Sequence, residues 1–256
     1  GMDRLQVEHD VSVGTNALFM PLETQLKSYS HLVVYTESSL VEQTTPVAFR
    51  VEDLSATVKN LNFPDHDLDM GDLGGNLSWS DPDEFSQVTH YMIFLAEDAD
   101  SVNKTYLDNS SVGDNSIFVP VNTALKAFTH FAVYSSSSVG SQTRPALLPI
   151  EDEHALVSAV TFVDKDLDSL ELGSAIRWVP PASMRRVVVY RVYLAEDAAG
   201  NGKAQMGADV QAGTNKVAVP VNTPLSSYAD IVVYTKSSLT EQTTPAALSI
   251  VDIIAE

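Results

Sequence analysis

The sequence predicts an all-β protein made of tandem β-sandwiches, each about 100 residues long. Three observations support this prediction. One long stretch occurs three times, at spacings of 99 and 100 residues. Within each copy, apolar and polar residues alternate with the period of two that is typical of half-buried strands. Turn-forming residues, such as the GTN and GDN triplets, separate these runs.

The repeat sets the domain organisation. VGTNALFMPLETQLKSYSHLVVYTESSLVEQTTP begins at Val13, and related stretches begin at Val112 and Ala212. The intervening sequence repeats as well, since LNFPDHDLDMGDLGGNLSWSDP from Leu61 matches VTFVDKDLDSLELGSAIRWVPP from Val160. A period near 100 is too long for a solenoid unit and fits a whole small domain. We therefore expect a partial sandwich at residues 1–53 and complete sandwiches at residues 54–152 and 153–256, named here the first, second and third segments.

Strands are predicted where apolar residues alternate. The equivalent run in the three copies contains Leu18, Met20 and Leu22, then Ile117, Val119 and Val121, then Val217, Val219 and Val221. Leu77 and Trp79 alternate with polar neighbours in the same way, as do Tyr91, Ile93 and Leu95. About seven such strands in roughly 100 residues, with a turn every 8–12 residues, predict a β-sandwich.

Certain positions resemble fibronectin type III domains, which are immunoglobulin-like sandwiches. Trp79 and Trp178 stand where that family keeps the tryptophan of strand B. The stretch LSSYADIVVY, from Leu225, is similar to the family's turn between strands E and F, its tyrosine corner at Tyr228, and its strand F. Phe128 departs from the pattern, because it lacks the hydroxyl of the corner tyrosine. The resemblance covers both complete copies.

The first segment aligns with only the second half of a sandwich. When the repeats are superimposed, Gly1 matches Gly200, which follows strand C, so strands A, B and C have no counterpart before residue 13. Half a sandwich exposes an apolar face and open strand edges. We therefore expect residues 1–53 to bury this face against a second copy, as a homodimer.

Charge and composition restrict the partners. The chain has 34 acidic and 15 basic residues, a net charge of −19, which disfavours binding to nucleic acid or anionic lipid. Solubility alone is an alternative reason for this charge. No apolar run reaches the 18 residues that predict a membrane span, so membrane insertion is not expected. The expected partners are neighbouring repeats, and the expected location is extracellular or at the cell surface.

Acidic residues supply the candidate site. The topology implied by the resemblance places the loop between strands A and B, the end of strand C and the end of strand G at one pole of each sandwich. The acidic residues at this pole are Asp65, Asp67, Asp69, Asp72, Glu97, Asp98, Glu151 and Asp152, and in the last copy Asp164, Asp166, Asp168, Glu171, Glu196, Asp197 and Asp252. Six to eight such oxygens suit calcium, so calcium is the candidate cofactor. The alternative is a solvated loop, in which Leu68, Leu73, Leu167 and Leu172 point inward.

No group of residues predicts catalysis. The six histidines do not cluster, and no nucleophile elbow or phosphate-binding loop occurs. The predicted function is therefore a non-catalytic structural or adhesive segment of a large surface protein. The alternative is an accessory module that binds glycan or calcium. Tyr35, Tyr134 and Tyr234 recur on strand F and would form a carbohydrate-stacking face unless they serve packing.

Overall fold

The computed structural model describes residues 4–7 and 9–254, and these residues form seventeen β-strands and no helix. The all-β prediction is confirmed. No helix that could span a membrane occurs among the described residues. The strands are β1 (His31–Val34), β2 (Val47–Arg50), β3 (Lys59–Asn62), β4 (Asp72–Ser80), β5 (His90–Ala96), β6 (Lys104–Ser111), β7 (Ser116–Ala124), β8 (His130–Ser136), β9 (Ala146–Pro149), β10 (Ser158–Thr161), β11 (Glu171–Val179), β12 (Val189–Ala195), β13 (Ala204–Gln205), β14 (Val210–Gln211), β15 (Lys216–Pro224), β16 (Asp230–Lys236) and β17 (Ala246–Ser249).

Two antiparallel sheets pack face to face in each of the two longer segments. In the second segment, one sheet has the order β3-β4-β7 and the other β6-β5-β8-β9. In the third, the orders are β10-β11-β15 and β13-β12-β16-β17, and β14 also pairs with β12. Each apolar core lies between a three-stranded and a larger sheet, which is the β-sandwich architecture.

The two tryptophans occupy equivalent places in these cores. Trp79 lies edge-on to Tyr91, with ring centroids 5.6 Å apart. Trp178 meets Tyr190 in the same way at 5.2 Å. Each pair joins the middle strand of the small sheet to an inner strand of the large one, so the aromatic contact connects the two layers.

The inward direction that alternation predicts for the apolar residues of β7 and β15 is correct for only part of each strand. Ile117 and Val119 of β7 are buried, but Val121 is half-buried and its equivalent Val221 is 74% exposed. A register shift between Leu73 and Gly75 on the partner strand interrupts the pairing here. Such a bulge changes the side that successive residues face, and the inward prediction for Val221 is therefore wrong.

Strand F is buried on both faces in the complete segments. Phe131 and Val133 of β8 point into the main core, whereas Ala132 and Tyr134 form a separate buried cluster on the outer face. The Lys104 ammonium lies 4.0 Å from the centre of the Tyr134 ring and 2.7 Å from its hydroxyl oxygen. The face of the Tyr134 ring that points away from the main core is thus covered by Lys104.

The third segment repeats this arrangement. Tyr234 packs edge-on to Tyr193, and the Lys203 ammonium lies 3.7 Å from the centre of the Tyr234 ring. At the tyrosine corner, Tyr228 packs against the core, but its hydroxyl makes no hydrogen bond to any residue that the structure describes. Phe128 takes the same place in the second segment. The missing hydroxyl of Phe128 therefore removes no contact of this kind.

The first segment forms a two-stranded sheet in which His31 to Val34 pair with Val47 to Arg50. The run Leu18, Met20 and Leu22 is exposed and lies outside any strand, so the strand predicted there is wrong. In the second segment, the equivalent strand β7 gains its hydrogen bonds from β4, and residues 4–7 and 9–53 contain no strand corresponding to β4. The homodimer through residues 1–53 stays a prediction.

Candidate functional site

The acidic loop of the second segment, residues 63–72, is folded around its own aspartates. Asp65 is buried, and its Oδ1 accepts hydrogen bonds from the backbone N–H groups of Asp67, at 3.1 Å, and Gly74, at 2.9 Å. Its Oδ2 accepts a third from Glu153, at 3.1 Å. Burial raises the pKa of Asp65 to about 6, although the three donors act in the opposite direction. Asp65 thus fastens the loop to the linker between the two sandwiches.

Asp67 is the most deeply buried of the loop carboxylates, with no exposed surface. Its Oδ1 accepts the N–H of Asp69 at 3.1 Å, and its Oδ2 accepts the N–H of Asn122 at 2.7 Å. Asn122 has a φ of 61°, a left-handed conformation that asparagine tolerates better than most residues. The carboxylate therefore holds the bulge at which the alternation of β7 ends.

Asp69 reaches into the third segment. Its Oδ2 accepts the N–H of Thr243 at 2.6 Å and the Thr243 hydroxyl at 3.1 Å. Its Oδ1 accepts the N–H of Thr244 at 3.0 Å. These donors belong to the F–G turn of the third segment, residues 235–245, which joins β16 to β17. The side chain is buried in this contact between segments.

Leu68 is the apolar part of the same contact. It is fully buried and belongs to the core cluster of the third segment, together with Ala155 and Val157. Its carbonyl oxygen accepts hydrogen bonds from Gln242 Nε2 at 2.7 Å and from the N–H of Ala155 at 3.1 Å. The inward direction expected for Leu68 is thus toward the neighbouring sandwich. We call this contact between the acidic loop and the F–G turn the joint.

Asp152, which follows strand G, also hydrogen-bonds to the acidic loop. Asp152 Oδ2 accepts the N–H of Gly71 at 2.9 Å, and Gly71 has a φ of 85°. Asp72 is half-buried beside these groups. Its pKa is raised by burial and by the nearby charges of Asp67, Asp69 and Asp152. The structure thus brings Asp65, Asp67, Asp69, Asp72 and Asp152 together.

The third segment has an equivalent acidic loop, residues 162–171, with the same internal bonds. Asp164 accepts hydrogen bonds from the N–H groups of Asp166 at 3.1 Å, Gly173 at 2.9 Å and Ile253 at 3.3 Å. Asp166 accepts hydrogen bonds from the N–H groups of Asp168 at 3.2 Å and Asn222 at 2.7 Å. Asp252 accepts one from the N–H group of Leu170 at 2.8 Å. Its outer side differs, because Leu167 is 57% exposed and Asp168 is exposed as well. The loop therefore keeps its shape without a neighbouring sandwich.

The remaining candidate ligands are exposed or bonded elsewhere. Glu97 Oε2 accepts a hydrogen bond from Asn103, at 3.2 Å, and Asp98 is exposed. Glu151 is exposed and lies 3.6 Å from Arg185. Glu196 Oε1 accepts the Ser227 hydroxyl at 3.3 Å.

Asp197 closes its own turn. Its Oδ1 accepts the N–H groups of Ala199 and Asn201, at 3.0 and 3.1 Å, and its pKa is lowered chiefly by the side-chain hydrogen bond from Asn201. None of these five carboxylates hydrogen-bonds to an acidic loop in the described structure. They serve turns and surface contacts.

Among the residues that the structure describes, one group of carboxylates is close enough together to hold a cation. Asp166, Asp168 and Glu171 each offer an oxygen, and these atoms lie within 4.8 Å of one another. In the second segment, the residue corresponding to Asp168 is Asp69, whose two oxygens accept three hydrogen bonds from Thr243 and Thr244. The two loops therefore differ in the oxygens that they leave for a metal.

In the second segment three strands face four, and in the third the short strands β13 and β14 pair with β12 where β6 pairs with β5, so both segments have the strand order of a fibronectin-type sandwich. The chain has a fibronectin III/immunoglobulin-like β fold. No family model matches the sequence, and no curated protein matches it. Among solved structures, the chain is similar to the chicken CNTN1 FN1-FN3 domains, with 12% identity over 86% of this chain and 74% of that one, at a TM-score of 0.33. A likeness at this level carries no argument about function.

The receiving side of the joint was not foreseen from the sequence. Its hydrogen-bond donors are Ser237, Gln242, Thr243 and Thr244. From the sequence alone, these residues predict only an ordinary turn between two strands. A signal was present nonetheless. SSLTEQTTP in the third segment is nearly identical to SSLVEQTTP in the first, although turns on the surface ordinarily vary more than the strands that they connect.

Proposed function

We propose that this chain is a non-catalytic structural segment of a large extracellular or surface protein, in which the acidic loop fixes each sandwich to the next. The observation that carries the proposal is the joint, where Leu68 and Asp69 of one sandwich are buried in the other. Sandwiches in tandem ordinarily move relative to one another unless their interface is substantial. A leucine in the neighbouring core and a fully bonded carboxylate favour a rod with fixed angles.

The linker supports the same conclusion. Residues 150–155, IEDEHA, contain no glycine or proline. Glu153 donates its N–H to Asp65 of the second segment, whereas the Ala155 carbonyl accepts the Thr235 hydroxyl of the third, at 2.8 Å. Because the linker is bonded on both sides, its dihedral angles are restricted independently of the joint itself. This arrangement suits a spacer or an adhesive stalk that must hold a defined length.

Replacing Asp69 with alanine is expected to loosen the joint, because three donors of the F–G turn lose their acceptor. Small-angle X-ray scattering on dilute protein should show a broader distribution of intramolecular distances, and 15N relaxation should show the second and third segments tumbling more independently. Asp168→Ala is the matched control, since this equivalent residue lies outside the joint, and it should leave both measurements unchanged.

Two results would count against the spacer role. One is a wild-type chain whose segments already tumble independently. The other is an Asp69→Ala variant that is indistinguishable from wild type in both measurements. Either would mean that the joint does not fix the angle between sandwiches.

A second candidate function, calcium-dependent ligand binding, is favoured by the close carboxylates of Asp166, Asp168 and Glu171. Under this proposal, millimolar calcium raises the thermal midpoint by about 3–6 °C, as expected for a ligand near ten times its Kd, and EDTA reverses the shift. Glu171→Gln should abolish the shift. Asp72→Asn, the same position in the second segment, should preserve it.

A midpoint that does not move with calcium, or a shift that survives Glu171→Gln, would exclude this site. The glycan alternative has no comparable support. Lys104 and Lys203 cover the rings of Tyr134 and Tyr234, so the recurrent tyrosines present no bare stacking face in the complete segments.

A further inference from the structure

The acidic loop of the third segment has the conformation of a docked loop but no docking partner among the described residues. Its aspartates make the same backbone hydrogen bonds as those of the second segment, including Asp166 to Asn222 and Asp164 to Gly173. The difference lies in what the outer side meets. Leu68 is fully buried in a neighbouring core, whereas Leu167, at the same position, is 57% exposed. The loop is therefore preformed, and docking would not require it to refold.

The first segment contains a turn that matches the docking surface for this loop. The F–G turn of the first segment, residues 36–46, reads TESSLVEQTTP, and the turn that receives Leu68 reads TKSSLTEQTTP. All the F–G turn residues of the third segment that hydrogen-bond to the docked loop have identical counterparts in the first segment. These counterparts are Ser38, Ser39, Gln43, Thr44 and Thr45.

The F–G turn of the first segment already has the conformation of the F–G turn in the joint. In the first segment, Gln43 donates its N–H to the Thr36 carbonyl at 2.9 Å, and in the third, Gln242 donates to Thr235 at 3.0 Å. The serine at the head of the turn accepts two backbone N–H groups in both copies, at 3.0 to 3.2 Å. The first-segment turn is open to solvent, since Leu40 is 91% exposed against 39% for Leu239 in the joint.

We propose that the acidic loop of the third segment of one copy docks on the F–G turn, residues 36–46, of a second copy. By correspondence with the joint, Ser38 donates to the Lys165 carbonyl, Gln43 donates to the Leu167 carbonyl, and the N–H groups of Thr44 and Thr45 donate to Asp168. The contact joins two different surfaces, so each copy offers one free loop and one free turn. Such head-to-tail contacts produce open chains, or rings where the rotation between copies closes.

The proposal goes beyond the proposed function, because it concerns contact between copies rather than stiffness within one. Between copies the contact is weaker than the joint. The joint is intramolecular and benefits from a high effective concentration. The described part of the first segment also lacks counterparts of Ala155 and Val157, which precede β10 and help to bury Leu68. A covalent trap on concentrated protein is therefore the suitable measurement.

The chain contains no cysteine, which makes the trap specific. In the joint, Ser238 Oγ lies 3.3 Å from His66 Nδ1, and the corresponding residues of the proposed contact are Ser39 and Lys165. We expect mild oxidation of concentrated Ser39→Cys/Lys165→Cys protein, in EDTA, to give a ladder of disulfide-linked dimers, trimers and longer chains. Adding Leu167→Asp should reduce the linked fraction about tenfold, since the buried leucine contact is lost.

The control pair is Ser39→Cys/Val179→Cys. Val179 is exposed at the far end of β11 from Glu171, about 25 Å away along the strand. A ladder no stronger than that of the control pair would overturn the proposal. So would a ladder that Leu167→Asp leaves intact, since the copies would then associate through another surface, such as the exposed apolar residues among 4–7 and 9–53. Scattering on dilute Asp69→Ala protein tests the proposed function separately, because it reports only contacts within one chain.

Discussion

Replacing Leu68 with alanine is expected to lower the free energy of unfolding of the third segment by roughly 2–5 kcal/mol, although Leu68 belongs to the second segment. The side chain is fully buried in the core cluster that includes Ala155 and Trp178, and its removal leaves a cavity there. Leu167→Ala is the matched control. Leu167 has the same place in its own loop but is 57% exposed, so its truncation should cost less than about 0.5 kcal/mol.

Urea unfolding followed separately by Trp79 and Trp178 fluorescence would measure these effects, because the second and third segments hold one tryptophan each. Each tryptophan can be changed to phenylalanine in turn, so that the remaining one reports on its own sandwich. The Trp178 signal should shift to lower urea in Leu68→Ala. Equal small effects of Leu68→Ala and Leu167→Ala would contradict the burial of Leu68 in the neighbouring core.

Asp67→Ala is expected to destabilise the second segment by roughly 2–4 kcal/mol, because it leaves the N–H groups of Asp69 and Asn122 without an acceptor. A solvated loop would predict a change within about 0.5 kcal/mol, as for other exposed surface positions. Asp98→Ala provides that reference, since Asp98 is acidic and exposed. Calcium should not change the result, because the buried Asp67 carboxylate already binds backbone donors.

The same denaturant experiment, read through the Trp79 signal, measures this difference. Backbone amide exchange gives a second reading, in which the amide hydrogens of Asp69 and Asn122 should exchange faster in Asp67→Ala than in wild type. Comparable stability of the Asp67→Ala and Asp98→Ala variants would show that the loop aspartates have no structural role.

The sequence predicts the sandwich well because its signals are local. The alternation through Ile117 and Val119, and the tryptophan at position 79, each report burial within a single strand, and the structure places all three in the core. The two copies agree with each other, which makes a chance pattern improbable. The alternation is unreliable at Val121 and Val221, where the bulge opposite Gly74 depends on pairing with another strand.

The candidate site is much less predictable, because its contacts are distant in sequence. Asp67 bonds to a residue 55 positions away, and Asp69 bonds to residues 174 and 175 positions away. A leucine between aspartates indicates burial, but it does not indicate which core receives it. Sequence reasoning therefore left open whether the aspartates bind a cation or face water. In the second segment, most of their oxygens instead accept backbone N–H groups.

The first segment shows that an alternating pattern does not by itself produce a strand. Leu18, Met20 and Leu22 carry the same alternation as Ile117 and Val119, yet they form no strand in the structure. A period of two describes which side chains would be buried if a partner strand were present. It does not supply the partner, and β4 has no counterpart among the described residues before β1.

The burial of Leu68 has a consequence for the order in which the chain folds during synthesis. Domains generally fold as units from the N-terminus as the chain leaves the ribosome. The second segment can close its own core before residues 235–245 emerge, and it then presents Leu68 on a preformed loop. The third segment completes its core around a side chain that is already in place. The second sandwich thus acts as a template for the third, and misfolding of the second would be passed on to the third.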